Sequence, residues 1–223
     1  MVDVFYVWKI KNYNMNKKIL ITWTSKWIWK YLLKNLKEKN EIIGISRSKS
    51  NENWFKEFNI DLTNIEVFNN IVKYLEQNDK KLDVIIINAW VGFFWKFEEW
   101  SIEKYEEIIN LNLLSPILMI KELKPFFKEK TKIIFIWSII SKKFMKYAAV
   151  YQASKFGLRW FAGALKNEIK GIHIINPKIV NTDFHNESNI VIEMWNRETK
   201  LEDIYNSIQL IIEWKESRFE IDL

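Results

Sequence analysis

Glycine is scarce in this chain: five residues in 223, about 2% where globular proteins average roughly 7%. So little glycine leaves few places for positive φ or for close approach of main chain to a ligand. Cysteine is absent, which excludes disulfides and thiolate metal sites and fits a reducing compartment. The two histidines, His173 and His185, are too few for most zinc sites, so no metal is expected. Only Pro116, Pro125 and Pro177 occur, and no Pro-rich linker divides the chain. Long hydrophobic runs are missing as well. The longest, Val84 to Trp95, is broken by Asn88 and is too short to span a bilayer. The N-terminus has no continuous apolar signal core, and the expectation is a soluble cytoplasmic protein. Charge of one sign is not concentrated anywhere: 34 Lys and Arg against 28 Asp and Glu give +6, with lysines scattered among acids. That pattern argues against nucleic-acid binding, while a mildly positive surface still draws anionic cofactors.

Tryptophan, by contrast, is abundant at twelve residues, and several sit where a nucleotide-binding turn needs no side chain. In Ile21-Thr22-Trp23-Thr24-Ser25-Lys26-Trp27-Ile28-Trp29 an apolar strand runs into a helix. With Gly at the three Trp positions the segment reads TGTSKGIG. Reading all twelve as glycine raises the glycine share to about 8%, near the average. The chain is also rich in Lys, Asn and Ile, the residues of AT-rich codons, and some bacterial lineages with such genomes read UGA as glycine. The expectation is therefore that UGA codons meaning glycine have been written as Trp. Taken literally, the Trp residues imply instead a degraded paralogue or an aromatic-rich binding protein.

Residues 1–16 have no clear period and read as an extension or a misassigned start; residues 17–223 read as one domain. Short β-branched runs near 18–22, 41–46, 56–60, 82–88, 132–137, 171–176 and 218–222 alternate with helical patterns. The runs Val84-Ile85-Ile86-Ile87 and Ile133-Ile134-Phe135-Ile136 are apolar on both faces, as central strands of a helix-covered parallel sheet must be. The predicted fold is α/β: a Rossmann-like doubly wound parallel sheet of about seven strands with helices on both faces.

The turn at 22–29 is where a dinucleotide docks in such a fold, because a helix N-terminus offers free N–H groups and a positive dipole end to a pyrophosphate. An aromatic-rich corner with no ligand is the alternative. One strand later, Gly44-Ile45-Ser46-Arg47-Ser48 carries no acid for a ribose 2′-hydroxyl. Arg47 offers a planar fork for a 2′-phosphate, and Lys26 adds a second cation, so NADP(H) is favoured over NAD(H). Asp61 is placed either to accept from an adenine amino group or to begin a helix. In Tyr151-Gln152-Ala153-Ser154-Lys155, i and i+4 spacing puts Tyr151 and Lys155 on one helix face. A neighbouring ammonium favours the phenolate, so the pair can exchange protons near neutral pH. Ser138 ends the fifth strand and reaches the same C-terminal sheet edge, where ligands bind in doubly wound folds.

Together these segments resemble the short-chain dehydrogenase/reductase family with a TGxxxGxG turn. The match runs from about residue 17 to 223 through Thr22 to Trp29, Asp61-Leu62, Asn88-Ala89-Trp90, Asn112, Ser138, Tyr151 to Lys155, and Pro177 with Thr182. Trp23, Trp27, Trp29, Trp90 and, further on, Trp137 and Trp160 align with positions where the family commonly has Gly. Lys178 is a departure, since the family usually has Gly after that Pro. The resemblance implies catalysis by Asn112, Ser138, Tyr151 and Lys155. It implies cofactor contacts from Trp23, Ser25, Lys26, Trp27, Ile28, Trp29, Arg47, Asp61, Leu62, Asn88, Ala89, Trp90, Tyr151, Lys155, Pro177, Val180 and Thr182.

In that scheme Tyr151 donates a proton as hydride reaches a carbonyl, and Ser138 hydrogen-bonds the same oxygen. Lys155 holds the nicotinamide ribose and Asn112 supports a relay water. A small ketone or a 3-oxoacyl thioester is the expected substrate. Phe93, Phe94, Phe144, Met145 and Tyr147 suggest an apolar pocket or, equally, core or dimer contacts. Association as a homodimer or homotetramer through helices near 101–124 and 149–169 follows the family habit. The rival reading is a noncatalytic NADP(H)-binding sensor or scaffold.

Overall fold

The computed structural model describes residues 16–23, 27–50, 52–178, 180 and 198–223, leaving aside the side chains of 27–30, 65 and 140. Seven strands form one sheet: β1 (Lys17–Thr22), β2 (Asn40–Ser46), β3 (Lys56–Asn59), β4 (Leu82–Ile87), β5 (Phe127–Ile136), β6 (Ile172–Asn176) and β7 (Glu220–Asp222). Their order is β3-β2-β1-β4-β5-β6-β7, and every pairing is parallel. The connections carry α1 (Trp27–Leu36), α2 (Phe68–Gln77), α3 (Ile102–Ile109), α4 (Ser115–Leu123), α5 (Ala149–Leu165) and α6 (Leu201–Ile212).

Period-two alternation along apolar strands sends successive residues to opposite faces. Leu20, Ile43, Ile85, Ile133 and Phe135 pack against Phe68 and Leu75 of α2, Ile120 of α4 and Leu158 of α5. Ile19, Ile21, Ile86, Ile134 and Ile175 pack on the other face against Leu32 and Leu36 of α1 and Ile208 and Ile211 of α6. Both faces are thus covered, as the doubly wound reading requires. Each such side chain removed from water contributes about 1.5–3 kcal/mol. Among the described residues, no helix is long and apolar enough to cross a membrane.

Two boundaries depart from the sequence expectation. β5 begins at Phe127, five residues early, because its first part is a bulged, charged segment (Lys128, Glu129, Lys130) that does not read as a buried strand. The helix expected over 101–124 is interrupted by a π-helical turn at Asn110–Leu114. The cause is tertiary: Asn112 is fully buried and its amide bonds the main chain of Val91.

Candidate active site

The strand order reverses between β1 and β4, so a crevice opens at their C-terminal ends, the place where doubly wound sheets bind ligands. Thr22 closes its floor: the main-chain N–H groups of Asn88 and Ala89 both donate to Thr22 Oγ1 at 2.9 Å. Trp23 follows with φ 68°, a left-handed conformation that costs an L-residue roughly 1–2 kcal/mol and costs glycine nothing. Its N–H donates to the Ile45 carbonyl at 2.5 Å, tying the turn to β2. The crevice is lined by Trp23, Ser46, Arg47, Ile60, Leu62, Ala89 and Trp90 among others.

The polar residues of the sequence motif meet beside this crevice. Asn112 Nδ2 donates to the Val91 carbonyl at 2.8 Å and to Ser154 Oγ at 3.0 Å, and its Oδ1 accepts from the Val91 N–H at 2.8 Å. Ser154 Oγ in turn donates to the Tyr151 carbonyl at 2.7 Å, so the π-helical turn is locked to the first turn of α5. Tyr151 is buried, with Gly92 directly under its ring: a Cβ on Gly92 would lie 2.8 Å from Tyr151 Cε2. Neither Ser154 nor Gly92 was legible as a site residue. The QAS stretch and the VG pair signal nothing until the fold brings them together.

Lys155 is fully buried, and its Nζ has no hydrogen-bond partner. Rings surround it instead: the centroids of Trp137, Trp90 and Tyr151 lie 3.6, 4.4 and 5.4 Å from Nζ. The Trp137 indole N–H donates to the Lys155 carbonyl at 3.0 Å. Trp90 also meets the edge of Trp23, 5.8 Å between centroids. As a result the crevice keeps only about 20 Å³, room for one or two water molecules. Burial pushes the Tyr151 phenol far above its ordinary value and the Lys155 ammonium well below its own. This reverses the expected lowering of the tyrosine pKa. Desolvation outweighs mutual attraction here because indoles stand where solvent would stabilise both charges.

Other expected residues fall as follows. Arg47 is exposed on the crevice rim, 4.0 Å from Glu107. Asp61 is exposed and spends Oδ1 on the N–H and hydroxyl of Thr63, at 2.9 and 2.8 Å; its neighbours Ile60 and Leu62 line the crevice. Ser138 is half-buried and follows Trp137 at the end of β5. Pro177 is buried and accepts from the Ile139 N–H at 3.2 Å, Lys178 donates its N–H to Thr199 Oγ1 at 2.9 Å, and Val180 packs on the β-sheet core. Ser25, Lys26 and Thr182 lie outside the described residues, as do the side chains of Trp27, Ile28 and Trp29, whose main chain opens α1. Of the apolar candidates, Phe94 packs on Tyr151, while Phe93 and Tyr147 line a small cavity with Trp95, Trp100 and Tyr151. Phe144 is exposed and stacked on Phe156.

A family model described as short chain dehydrogenase matches residues 32–191. The chain belongs to this family. A short-chain dehydrogenase is an oxidoreductase of CH–OH and C=O groups, and the curated relatives agree. A 3-ketodihydrosphingosine reductase of Bacteroides thetaiotaomicron is 29% identical over 180 residues, 77% of this chain and 67% of that protein. Ketoacyl reductase HetN of Nostoc sp. is 27% identical over 183 residues, 74% of this chain and 64% of its own length. The match therefore spans about two thirds of these two relatives. The 3-oxoacyl-(acyl-carrier-protein) reductase FabG of Buchnera aphidicola is 25% identical, with 80% of each chain covered. Among solved structures, a short-chain dehydrogenase of Leptospira borgpetersenii with bound NAD+ superposes with a TM-score of 0.81 at 21% identity, covering 95% of this chain and 94% of that one. An alcohol dehydrogenase of Thermococcus sibiricus in complex with 5-hydroxy-NADP gives 0.78 at 19% identity, covering 93% and 95%. At these identities the structures speak for the fold.

Proposed function

We propose that this short-chain dehydrogenase is an NADP(H)-dependent oxidoreductase interconverting a carbonyl and an alcohol. We further propose that the native protein has glycine where Trp23, Trp27, Trp29, Trp90, Trp137 and Trp160 are written, through UGA read as glycine. The observation that carries both is the orphaned Lys155 ammonium, buried without a hydrogen bond behind Trp90 and Trp137. An unpaired buried charge is strongly destabilising, and a ribose diol would supply the missing acceptors. Positive φ at residue 23 supports a dinucleotide turn at this crevice. The rings of Trp23 and Trp90 do not fit it, since they line and narrow the crevice a nucleotide needs.

With glycine at these positions each group has a defined task. Lys155 holds the ribose and, regaining solvent and acceptors, stays charged and draws the Tyr151 pKa down. Tyr151 donates a proton to the oxygen of the reacting carbonyl, and Ser138 hydrogen-bonds the same oxygen. Asn112, already anchored to Val91 and Ser154, positions a water that feeds protons to Lys155. Arg47 on the rim pairs with a 2′-phosphate. The nicotinamide supplies the hydride. The reductase names of the relatives and the apolar cavity beside Tyr151 support a 3-oxoacyl thioester or a small ketone as substrate.

The test is to make the chain in two forms, as written and with glycine at the six positions, and to titrate each with NADPH by fluorescence. Peptide mapping of the native protein reads the residues directly. Binding confined to the glycine form is the expected result. Equal affinity in a form verified to carry the indoles overturns the proposal. NADPH binding without turnover on any ketone or 3-oxoacyl thioester would leave a sensor or scaffold as the reading.

A further inference from the structure

At the opposite, N-terminal edge of the sheet, a cavity of about 80 Å³ is lined by Lys17, Asp83, Lys128, Lys130, Lys132 and Trp214. It has room for about five waters, or for one tetrahedral oxyanion. A bulge builds it. Leu82 pairs with Phe127 and Val84 with Lys132, so the single residue Asp83 on β4 faces four residues, Lys128 to Thr131, on β5. The bulge is pinned on two sides: the Lys128 N–H donates to Thr131 Oγ1 and the Thr131 hydroxyl to the Leu82 carbonyl, both at 2.7 Å. Gly171, in the turn just before β6, presses on it with φ 90°, where a Cβ would sit 2.6 Å from the Thr131 carbonyl oxygen. Bulges re-aim side chains, and this one sets Lys128, Lys130 and Lys132 along one cavity wall.

Charge in the cavity is unbalanced. Asp83 is taken up by Lys128 at 2.8 Å and Lys17 at 3.9 Å, and Lys130 and Lys132 form no ion pair among the described residues. Lys132 is 7% exposed, with its ammonium 3.6 Å from the Trp214 ring centre and 3.4 Å from His173 Nε2. His173 Nδ1 lies 2.8 Å from the Arg218 carbonyl, an acceptor only, so Nδ1 carries the proton and Nε2 accepts from Lys132. The histidine is thus neutral and cancels none of the charge. The negative C-terminal end of α6 does not use the lysines either. Its carbonyls at Leu210 and Ile211 are capped by the N–H groups of Lys215 and Trp214, at 2.9 and 3.2 Å. That pairing is a Schellman motif with Trp214 at φ 62°, the position glycine usually fills. A glycine at 214 would uncover Lys132 and widen the cavity.

We propose that this cavity is a second anion site, taking a phosphate-class oxyanion on Lys128, Lys130 and Lys132. It lies a full strand length, roughly 17–20 Å, from the coenzyme crevice. It does not depend on the reductase reading.

Calorimetric titration of inorganic phosphate at low salt, without and with excess NADPH, tests it. The expected result is one ion per chain, indifferent to NADPH, weakened by salt and weakened at least tenfold in the exposed double variant Lys128→Gln/Lys130→Gln. Absence of saturable binding by folded protein, displacement of phosphate by NADPH, or unchanged affinity in the double variant overturns the site.

Discussion

Glu220 of β7 fastens the edge of the sheet to the helix that carries Tyr151 and Lys155, the proposed catalytic pair, and its replacement by glutamine should expose that coupling. Arg159 grips both carboxylate oxygens at 2.9 Å, Asn176 Nδ2 donates at 2.8 Å, and Lys142 lies at 3.3 Å. Arg159 follows Tyr151 and Lys155 at four-residue steps on α5, so the clamp fixes the helix one turn beyond the site. Burial alone would raise the Glu220 pKa, but these partners hold it at about 2, against an ordinary 4.5. At 1.36 kcal/mol per tenfold change, that depression amounts to roughly 3 kcal/mol. Arg159 is 32% exposed, and solvent screening cuts the figure to about 1–2 kcal/mol. Because the folded pKa lies below the unfolded one, this stability is fully present above about pH 4.5 and disappears as pH falls toward 2. Glu216, held at about 2 by its hydrogen bonds from Arg218, titrates in the same window, so the difference between wild type and Glu220→Gln is the quantity to follow. Urea denaturation by circular dichroism should find the variant less stable by about 1–2 kcal/mol at pH 7 and the gap closing by pH 2. A gap that stays constant with pH, or none at pH 7, would refute the reasoning.

In the glycine form, Tyr151→Phe should lower kcat by about 10²–10⁴ while NADPH fluorescence titration gives an unchanged Kd. Arg47→Glu should weaken NADPH binding tenfold or more and leave NADH binding nearly intact, which parallel titrations would read. Asn112→Leu removes the side-chain partner of the half-buried N–H and carbonyl of Val91, and should cost about 1 kcal/mol per lost partner in a urea melt.

Much of this arrangement is legible in the residues, and the rest fails for identifiable reasons. Runs such as Ile85-Ile86-Ile87 announce central strands because both faces are buried. Lys128-Glu129-Lys130 hides the start of β5 because a bulge, unlike a ladder, has no periodic burial. Asn112 stands out as polar among apolar neighbours, yet its π-helical turn exists only because Val91 arrives from 21 positions away. Trp23 is conspicuous within a known turn, whereas Trp214 is not, since a helix cap of this kind is defined by main-chain bonds formed after α6 docks. The enclosure of Lys155 is equally invisible in the letters: Trp90, Trp137 and Lys155 come from three separate segments.

The all-parallel sheet also dictates when the parts can come together. No neighbouring strands are joined by a hairpin, and Lys18 and Asp83, bonded across the central pair, are 65 residues apart. At synthesis rates of about 5–20 residues per second, β1 waits roughly 3 to 13 seconds for β4 to be made. Through that interval β1 has only α1 and β2 to pack on, and the crevice between β1 and β4 has no existence until translation has passed residue 87.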